Sequence, residues 1–197
     1  MAILGIPDED FLRGEVPMTK REVRILILAN AQLRADAIVY DIGAGTGSLS
    51  IEAARQAAEG HVYAIERKPE GVRIIRANAE KFGVQNLTVT EAEAPDGMES
   101  LPPADVILIG GSGQKLSPIL DAADGKLKAG GRLVLSCITI QTIAQATAYF
   151  RAQQTRYLYQ TISVQVNRLR QVGPYDMAQA ENPIYLLTAE KRAAADE

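Results

Sequence analysis

A chain of 197 residues is long enough for one α/β domain with a full core and too short for two ordinary ones. Its net charge of −3, with acids and bases interspersed, argues against a generic nucleic-acid or membrane surface as partner. The lone Cys137 excludes an intramolecular disulfide and a cysteine-ligated iron–sulfur cluster, so no metal centre is expected; with no signal peptide and no long apolar run, the expected location is the cytoplasm.

In chain order, residues 1–34 read as a short irregular segment followed by a helix. Residues 35–192 read as a Rossmann-like core in the same domain, and residues 193–197 as a frayed tail. Pro7 and Pro17 break the first stretch. Thr19-Lys20-Arg21-Glu22 then matches the S/T-x-x-E capping box, which predicts a helix start at Thr19 with Val23, Leu26, Ile27 and Ala31 as its buried stripe. Lys20, Arg21 and Arg24 sit near the positive end of that helix, an unfavourable placement of the kind that can mark an anion site.

The run Ile38-Val39-Tyr40-Asp41-Ile42 stops at Gly43-Ala44-Gly45-Thr46-Gly47, and Ser48 to Ala54 then reads as a helix. Glycines without a Cβ permit a tight turn and close approach of a ligand to the backbone. Free N–H groups of the loop and the positive end of the helix would face one space. A dinucleotide loop is spaced G-x-G-x-x-G; here the third glycine comes one residue early, and the carboxylate of Asp41 would repel a pyrophosphate while attracting an ammonium group. S-adenosylmethionine has that ammonium and no phosphate. The D-x-G-x-G-x-G stretch resembles motif I of the class I S-adenosylmethionine-dependent methyltransferases.

The next strand, His61 to Glu66, ends on an acid 23 residues after Gly43, where a carboxylate accepts hydrogen bonds from ribose hydroxyls in doubly wound sheets. His61, the single histidine, lies at the opposite end of that strand and is a poor catalytic candidate. Val72, Ile75, Ala79 and Phe82, between Pro69 and Gly83, mark an amphipathic helix. Leu87 to Thr90 is a third strand, and the superfamily resemblance places Glu93 and Ala94 after it near an adenine ring, with Glu91 as the alternative carboxylate.

Ala104 to Ile109 reads as a strand buried on both faces, opening into Gly110-Gly111-Ser112-Gly113 at the same sheet edge as the first glycine loop. That loop lacks the N-P-P-Y tetrapeptide of nucleic-acid amino-methylating enzymes and leaves room for a bulky substrate. Leu116, Ile119, Leu120 and Ala123 stripe a helix, and Leu127 to Leu135 resembles the turn and fifth strand of the superfamily. Cys137 is predicted to be a small buried thiol. Ile143, Ala146 and Phe150 mark the last helix. Tyr157 to Val166 and Ile184 to Thr188 complete a seven-stranded, mostly parallel α/β sheet as an antiparallel hairpin, joined by a turn-rich segment containing Arg168 and Arg170.

Gly5 to Phe11, Pro17 to Arg24, Ala92 to Pro95, Ile109 to Gly113 and Asn182-Pro183, together with the first glycine loop, resemble the decarboxylating precorrin-6B C15-methyltransferase family of cobalamin biosynthesis. Glu66 and Glu93 stand where that family commonly has aspartate, and Ala92 where it has glycine. The resemblance implies a homotetramer that methylates a meso carbon of a corrin precursor and releases carbon dioxide from a ring acetate, with a separate C5-methylating subunit as a partner. It assigns Thr19, Asp41, Gly43, Ala44, Gly45, Thr46, Gly47, Glu66, Glu93 and Ala94 to S-adenosylmethionine. The substrate would meet Gly110, Gly111, Ser112 and Gly113, with Lys20, Arg168 and Arg170 facing its carboxylates. No catalytic base is assigned, because an electron-rich ring carbon is its own nucleophile. The alternatives are another class I enzyme, such as an isoaspartyl carboxyl or small-molecule methyltransferase, and a non-catalytic or dinucleotide-binding α/β module.

Overall fold

Apolar strands alternate with amphipathic helices along most of the chain, so a sheet covered on both faces is the arrangement that buries every apolar stripe. The computed structural model describes residues 4–193. Helix α1 (Arg21–Ala31) precedes β1 (Ile38–Ile42), α2 (Ser48–Gln56), β2 (His61–Glu66), α3 (Pro69–Lys81), β3 (Leu87–Glu91) and β4 (Ala104–Ile109). There follow α4 (Leu116–Lys126), β5 (Leu127–Cys137), α5 (Ile140–Ala152), β6 (Tyr157–Val164), β7 (Asn167–Val172), β8 (Tyr175–Ala180) and β9 (Ile184–Lys191). Seven strands form one sheet in the order β3-β2-β1-β4-β5-β9-β6, with β9 antiparallel to both of its neighbours. Strand order reverses between β1 and β4, so a crevice opens at the carboxyl ends of those two strands.

One apolar cluster packs α4 and α5 on the face carrying Tyr40, Ile107 and Leu133; the other packs α1 and α2 on the face carrying Val39, Val62 and Leu108. The predicted stripes of α4 and α5 are buried as written: Leu116, Ile119, Leu120 and Ala123, then Ile143, Ala146 and Phe150. Among the described residues no helix is long and apolar enough to cross a membrane.

Three expectations are corrected. First, the capping box does not form. Lys20 is the N-cap of α1 and makes no side-chain cap, since an ammonium group has no acceptor for the first-turn amides, and Glu22 pairs with Arg168 instead. The buried stripe takes Leu28 in place of Leu26 and also includes Arg24, which is therefore no candidate for an anion site.

Second, the segment before α1 is stapled down rather than irregular. Arg24, 0% exposed, donates to Glu52 (2.8 Å), to Asp8 (2.7 Å) and to the carbonyls of Thr19 (2.6 Å) and Ile6. Glu52 in turn accepts from the amides of Gly5 (2.7 Å) and Ile6 (3.2 Å). Asn78 on α3 pairs with both the amide and the carbonyl of Leu12, and Phe11 stacks on Phe82.

Third, the turn-rich segment is a separate two-stranded ribbon, β7–β8, turning at Gly173-Pro174, with all twelve of its strand residues exposed. The described residues thus hold nine strands, of which seven make the sheet. Of the expected tail, only Ala193 falls among the described residues.

Candidate active site

A cavity of about 470 Å³ opens at the carboxyl edge of the sheet. Its floor is the two glycine loops, which meet backbone to backbone. A Cβ on Gly43 (φ +72°) would lie 2.5–2.8 Å from the main chain of Gly111, and one on Gly45 (φ +58°) would lie 2.4 Å from the carbonyl of Pro17. Glycine is needed at both positions for the space as well as for the positive φ.

Four of the five amides of the first loop, all but that of Thr46, are taken by the protein itself, contrary to expectation. Gly43 and Ala44 both donate to the carbonyl of Ile65 (2.9 and 3.2 Å), Gly47 donates to the carbonyl of Ala44 (2.8 Å), and Gly45 donates to the carboxylate of Glu66 (2.8 Å). A pyrophosphate would therefore lose most of the donors that a phosphate-binding loop supplies, and it would face Glu66.

Glu66 is 6% exposed, lines the cavity, and also accepts from the amide of Lys68 (2.8 Å). Glu93 and Ala94 lie on the wall, whereas Glu91 is exposed and away from it; the geometry favours Glu93 as the β3-loop acid. Its carboxylate is gripped by Lys115 (2.8 Å) and Arg67 (3.0 Å), whose hydrogen bonds hold it below the usual carboxylate range.

Asp41, just before the loop, and Thr46 and Gly47 within it do not line the cavity. Asp41 is 1% exposed and accepts from the hydroxyl of Ser50; burial pushes its pKa up to about 6 against that bond, and the charge of Glu66 adds to the rise. Thr46 is buried beside it, its hydroxyl without a hydrogen-bond partner among the described residues.

Thr19, Lys20 and Gly110 to Gly113 all line the cavity as expected. Arg168 and Arg170 do not. Arg168 bridges Glu22 (2.7 Å) on α1 and Glu181 (2.9 Å) after β8, so its charge is spent on holding the ribbon's base to α1, and Arg170 stands on the exposed ribbon. The wall's cations are Lys20, Arg67 and Lys68 instead. Arg67 and Lys68 directly follow Glu66 at the carboxyl end of β2, a position that put them on the rim from topology alone. Cys137 is half-buried on the wall rather than enclosed, and desolvation raises its thiol above the usual range, which keeps it neutral. Ser136 and Glu181 on the wall carried no local signal in the sequence, whereas Asn182, also on the wall, belongs to the Asn182-Pro183 stretch of the family resemblance.

A seven-stranded sheet with its sixth strand position reversed, a G-x-G-x-G loop after β1 and acids at the ends of β2 and beyond β3 together define a class I methyltransferase. Comparison with known proteins narrows the class. Residues 10–191 match the precorrin methyltransferase domain. A probable cobalt-precorrin-6B C(15)-methyltransferase (decarboxylating) of Sulfurisphaera tokodaii is 38% identical over 194 residues, covering 97% of this chain and 100% of that protein. The crystal structure of precorrin-6y C5,15-methyltransferase from Geobacter metallireducens superposes with a TM-score of 0.89 at 38% identity, covering 95% of this chain and 97% of the other. That of precorrin 8w decarboxylase from Methanobacterium thermoautotrophicum does so with a TM-score of 0.87 at 32% identity, covering 93% and 98%. The chain belongs to the precorrin methyltransferase family.

Proposed function

We propose that this protein is the S-adenosylmethionine-dependent enzyme that methylates C15 of a precorrin-6B type corrin precursor and removes carbon dioxide from one of its ring acetates, working in the cytoplasm. The observation that carries the cofactor assignment is that the amides of Gly43, Ala44, Gly45 and Gly47 are already taken, beside two acids, which suits a cationic, phosphate-free ligand with ribose hydroxyls and disfavours a dinucleotide. When bound, S-adenosylmethionine supplies an electrophilic methyl group on a positively charged sulfur.

The residues that would hold it are Gly43 to Gly45 under the methionine part, Glu66 at the ribose, and Glu93 and Ala94 at the adenine, with Thr19 closing over them. Asp41 adds negative charge from beneath the loop. The open Gly110 to Gly113 wall gives a flat macrocycle its face, and Lys20 and Lys68 put cations where its carboxylates would lie, Arg67 being paired with Glu93. With the ring carbon as nucleophile, the protein's work is to align that carbon and to exclude water.

Glu66→Ala is expected to weaken S-adenosylhomocysteine binding at least about tenfold, since hydrogen bonds to a charged acceptor contribute roughly 1.5–3 kcal/mol each. Calorimetry reads this directly, with NAD as the negative control. Unchanged affinity would remove Glu66 from the site, and tight NAD binding would reject the cofactor class.

The assembly reading is a homotetramer in contact through β7–β8, with a separate C5-methylating subunit as a further partner. Its support is the ribbon's exposed apolar side chains: Leu169 is 73% exposed, Tyr175 71% and Met177 56%. Light scattering is expected to give four times the chain mass for the wild type and a smaller species for Leu169→Asp/Met177→Asp. A wild-type monomer at micromolar concentration would overturn it.

A further inference from the structure

Behind the second glycine loop lies a smaller cavity of about 170 Å³. It shares a wall with the large one along Gly110–Ser112 and Ser136–Ile138, and it is bordered on its far side by Thr139, which is exposed, and Thr142 at the start of α5. Liquid water takes about 30 Å³ per molecule, so this space holds a short side arm and not a macrocycle. The lining contains hydroxyls, a thiol and aliphatic groups, and no lysine, arginine or histidine. Thr139 donates its proton to the hydroxyl of Thr142 (2.7 Å), which leaves the proton of Thr142 free to point elsewhere. The hydroxyls of Ser112 and Ser136 have no hydrogen-bond partner among the described residues.

We propose that this side pocket receives the carboxymethyl arm that is lost, while the ring itself lies in the large cavity. The inference rests on the corrin-methylating reading above and adds the place where decarboxylation happens. The two cavities treat a carboxylate oppositely. On the outer rim, Lys20 and Lys68 stabilise an ionised arm, and those arms are kept. In the side pocket, hydroxyls hold the carboxylate in place without neutralising it, so the ionised ground state lacks the ion pairing that the rim supplies. The transition state, in which the charge moves off the carboxyl group into the ring, needs no such pairing there, so withholding a cation favours loss of carbon dioxide.

The electron count closes as follows. Transfer of the methyl cation to the neutral ring carbon leaves the conjugated ring with one positive charge. The bond between the arm's methylene carbon and its carboxyl carbon then breaks. Carbon dioxide departs, and the bonding pair enters the ring and cancels that charge, leaving an exocyclic methylene. Water protonates the methylene carbon to give a methyl group, and the newly methylated ring carbon returns its proton to water. Carbon dioxide release therefore follows methyl transfer.

Thr142 borders the side pocket and not the large cavity, so its variants separate the two steps. In Thr142→Leu, which fills the space, carbon dioxide released per methyl transferred is expected to fall at least tenfold, and mass spectrometry should find a methylated product that retains its carboxyl group. Thr142→Val, nearly isosteric, should give the same change to a smaller degree if the larger residue disturbs α5. S-adenosylhomocysteine affinity and the melting temperature should stay near wild type. A wild-type ratio of carbon dioxide to methyl in both variants would overturn the side-pocket assignment while leaving the methyltransferase reading intact. A wild-type protein that transfers no methyl group to the corrin precursor would overturn the reading on which it rests, and the pocket's role with it.

Discussion

Arg24→Met is expected to lower the unfolding free energy by roughly 3–5 kcal/mol, the usual consequence of removing one partner from a buried charge network. In a protein of this size that corresponds to a drop of roughly 6–20 °C in melting temperature. Arg24 has no solvent to fall back on, and its guanidinium joins α1, α2 through Glu52, the first turn through Asp8, and two backbone carbonyls. Its loss strands the Glu52 carboxylate, only 2% exposed, with just the amides of Gly5 and Ile6. The stretch held by this network includes Val16 to Lys20, which line the cavity, so cofactor binding should weaken as well. Urea unfolding of Arg24→Met, Glu52→Gln and the double variant checks the argument. The double variant should recover part of the loss, because it removes the uncompensated charge. Additive effects, or a single-variant loss below about 1 kcal/mol, would mean that the strap is held by Phe11 and Asn78 instead.

What the sequence discloses divides along the same physical line. The strands and the stripes of α4 and α5 were legible because burial repeats every two or every three to four residues, and Leu116 to Ala123 shows that repeat without interruption. Arg24 was misread because a charge within an apolar stripe makes sense only once its partners are known. Those partners, Asp8 and Glu52, lie 16 and 28 residues away in the chain. The β7–β8 ribbon was missed because neither of its faces is buried, so no alternation of burial sets it apart from a loop. In the site, the glycine loops and the strand-end acids could be read from spacing, since topology sends the carboxyl ends of the parallel strands to one edge. The disposition of the loop amides could not, because whether an N–H meets a ligand or the carbonyl of Ile65 is decided across the sheet. Arg168 shows the reverse case: an arginine in the right region whose charge is already taken by Glu22 and Glu181.

Asp41→Asn is expected to make the ligand-free protein more stable at neutral pH and to bind its cofactor less well. Asp41 holds its proton more tightly in the folded chain, with a pKa of about 6, than its ordinary value of 3.8. Below the lower value both states are protonated and folding carries no penalty. As pH rises through the window between the two values, the unfolded chain ionises first and stability falls. Above about pH 6 the full cost of burying the carboxylate remains, on the order of 3 kcal/mol for a shift of about two units. Asparagine keeps an acceptor for the Ser50 hydroxyl and removes the ionisation, so the variant should gain up to that amount near neutrality and match the wild type near the acid end. Binding reverses the preference, because a cationic ligand over the loop favours the ionised carboxylate. Wild-type affinity for S-adenosylmethionine should therefore rise with pH through about 6, with proton release, whereas the variant's affinity should be flatter and roughly tenfold weaker at neutral pH. Urea unfolding across this range, with calorimetry in two buffers of different ionisation enthalpy, measures both sides. If the two proteins show the same slope of stability against pH between about pH 4 and pH 6, the buried carboxylate is not the group that titrates there.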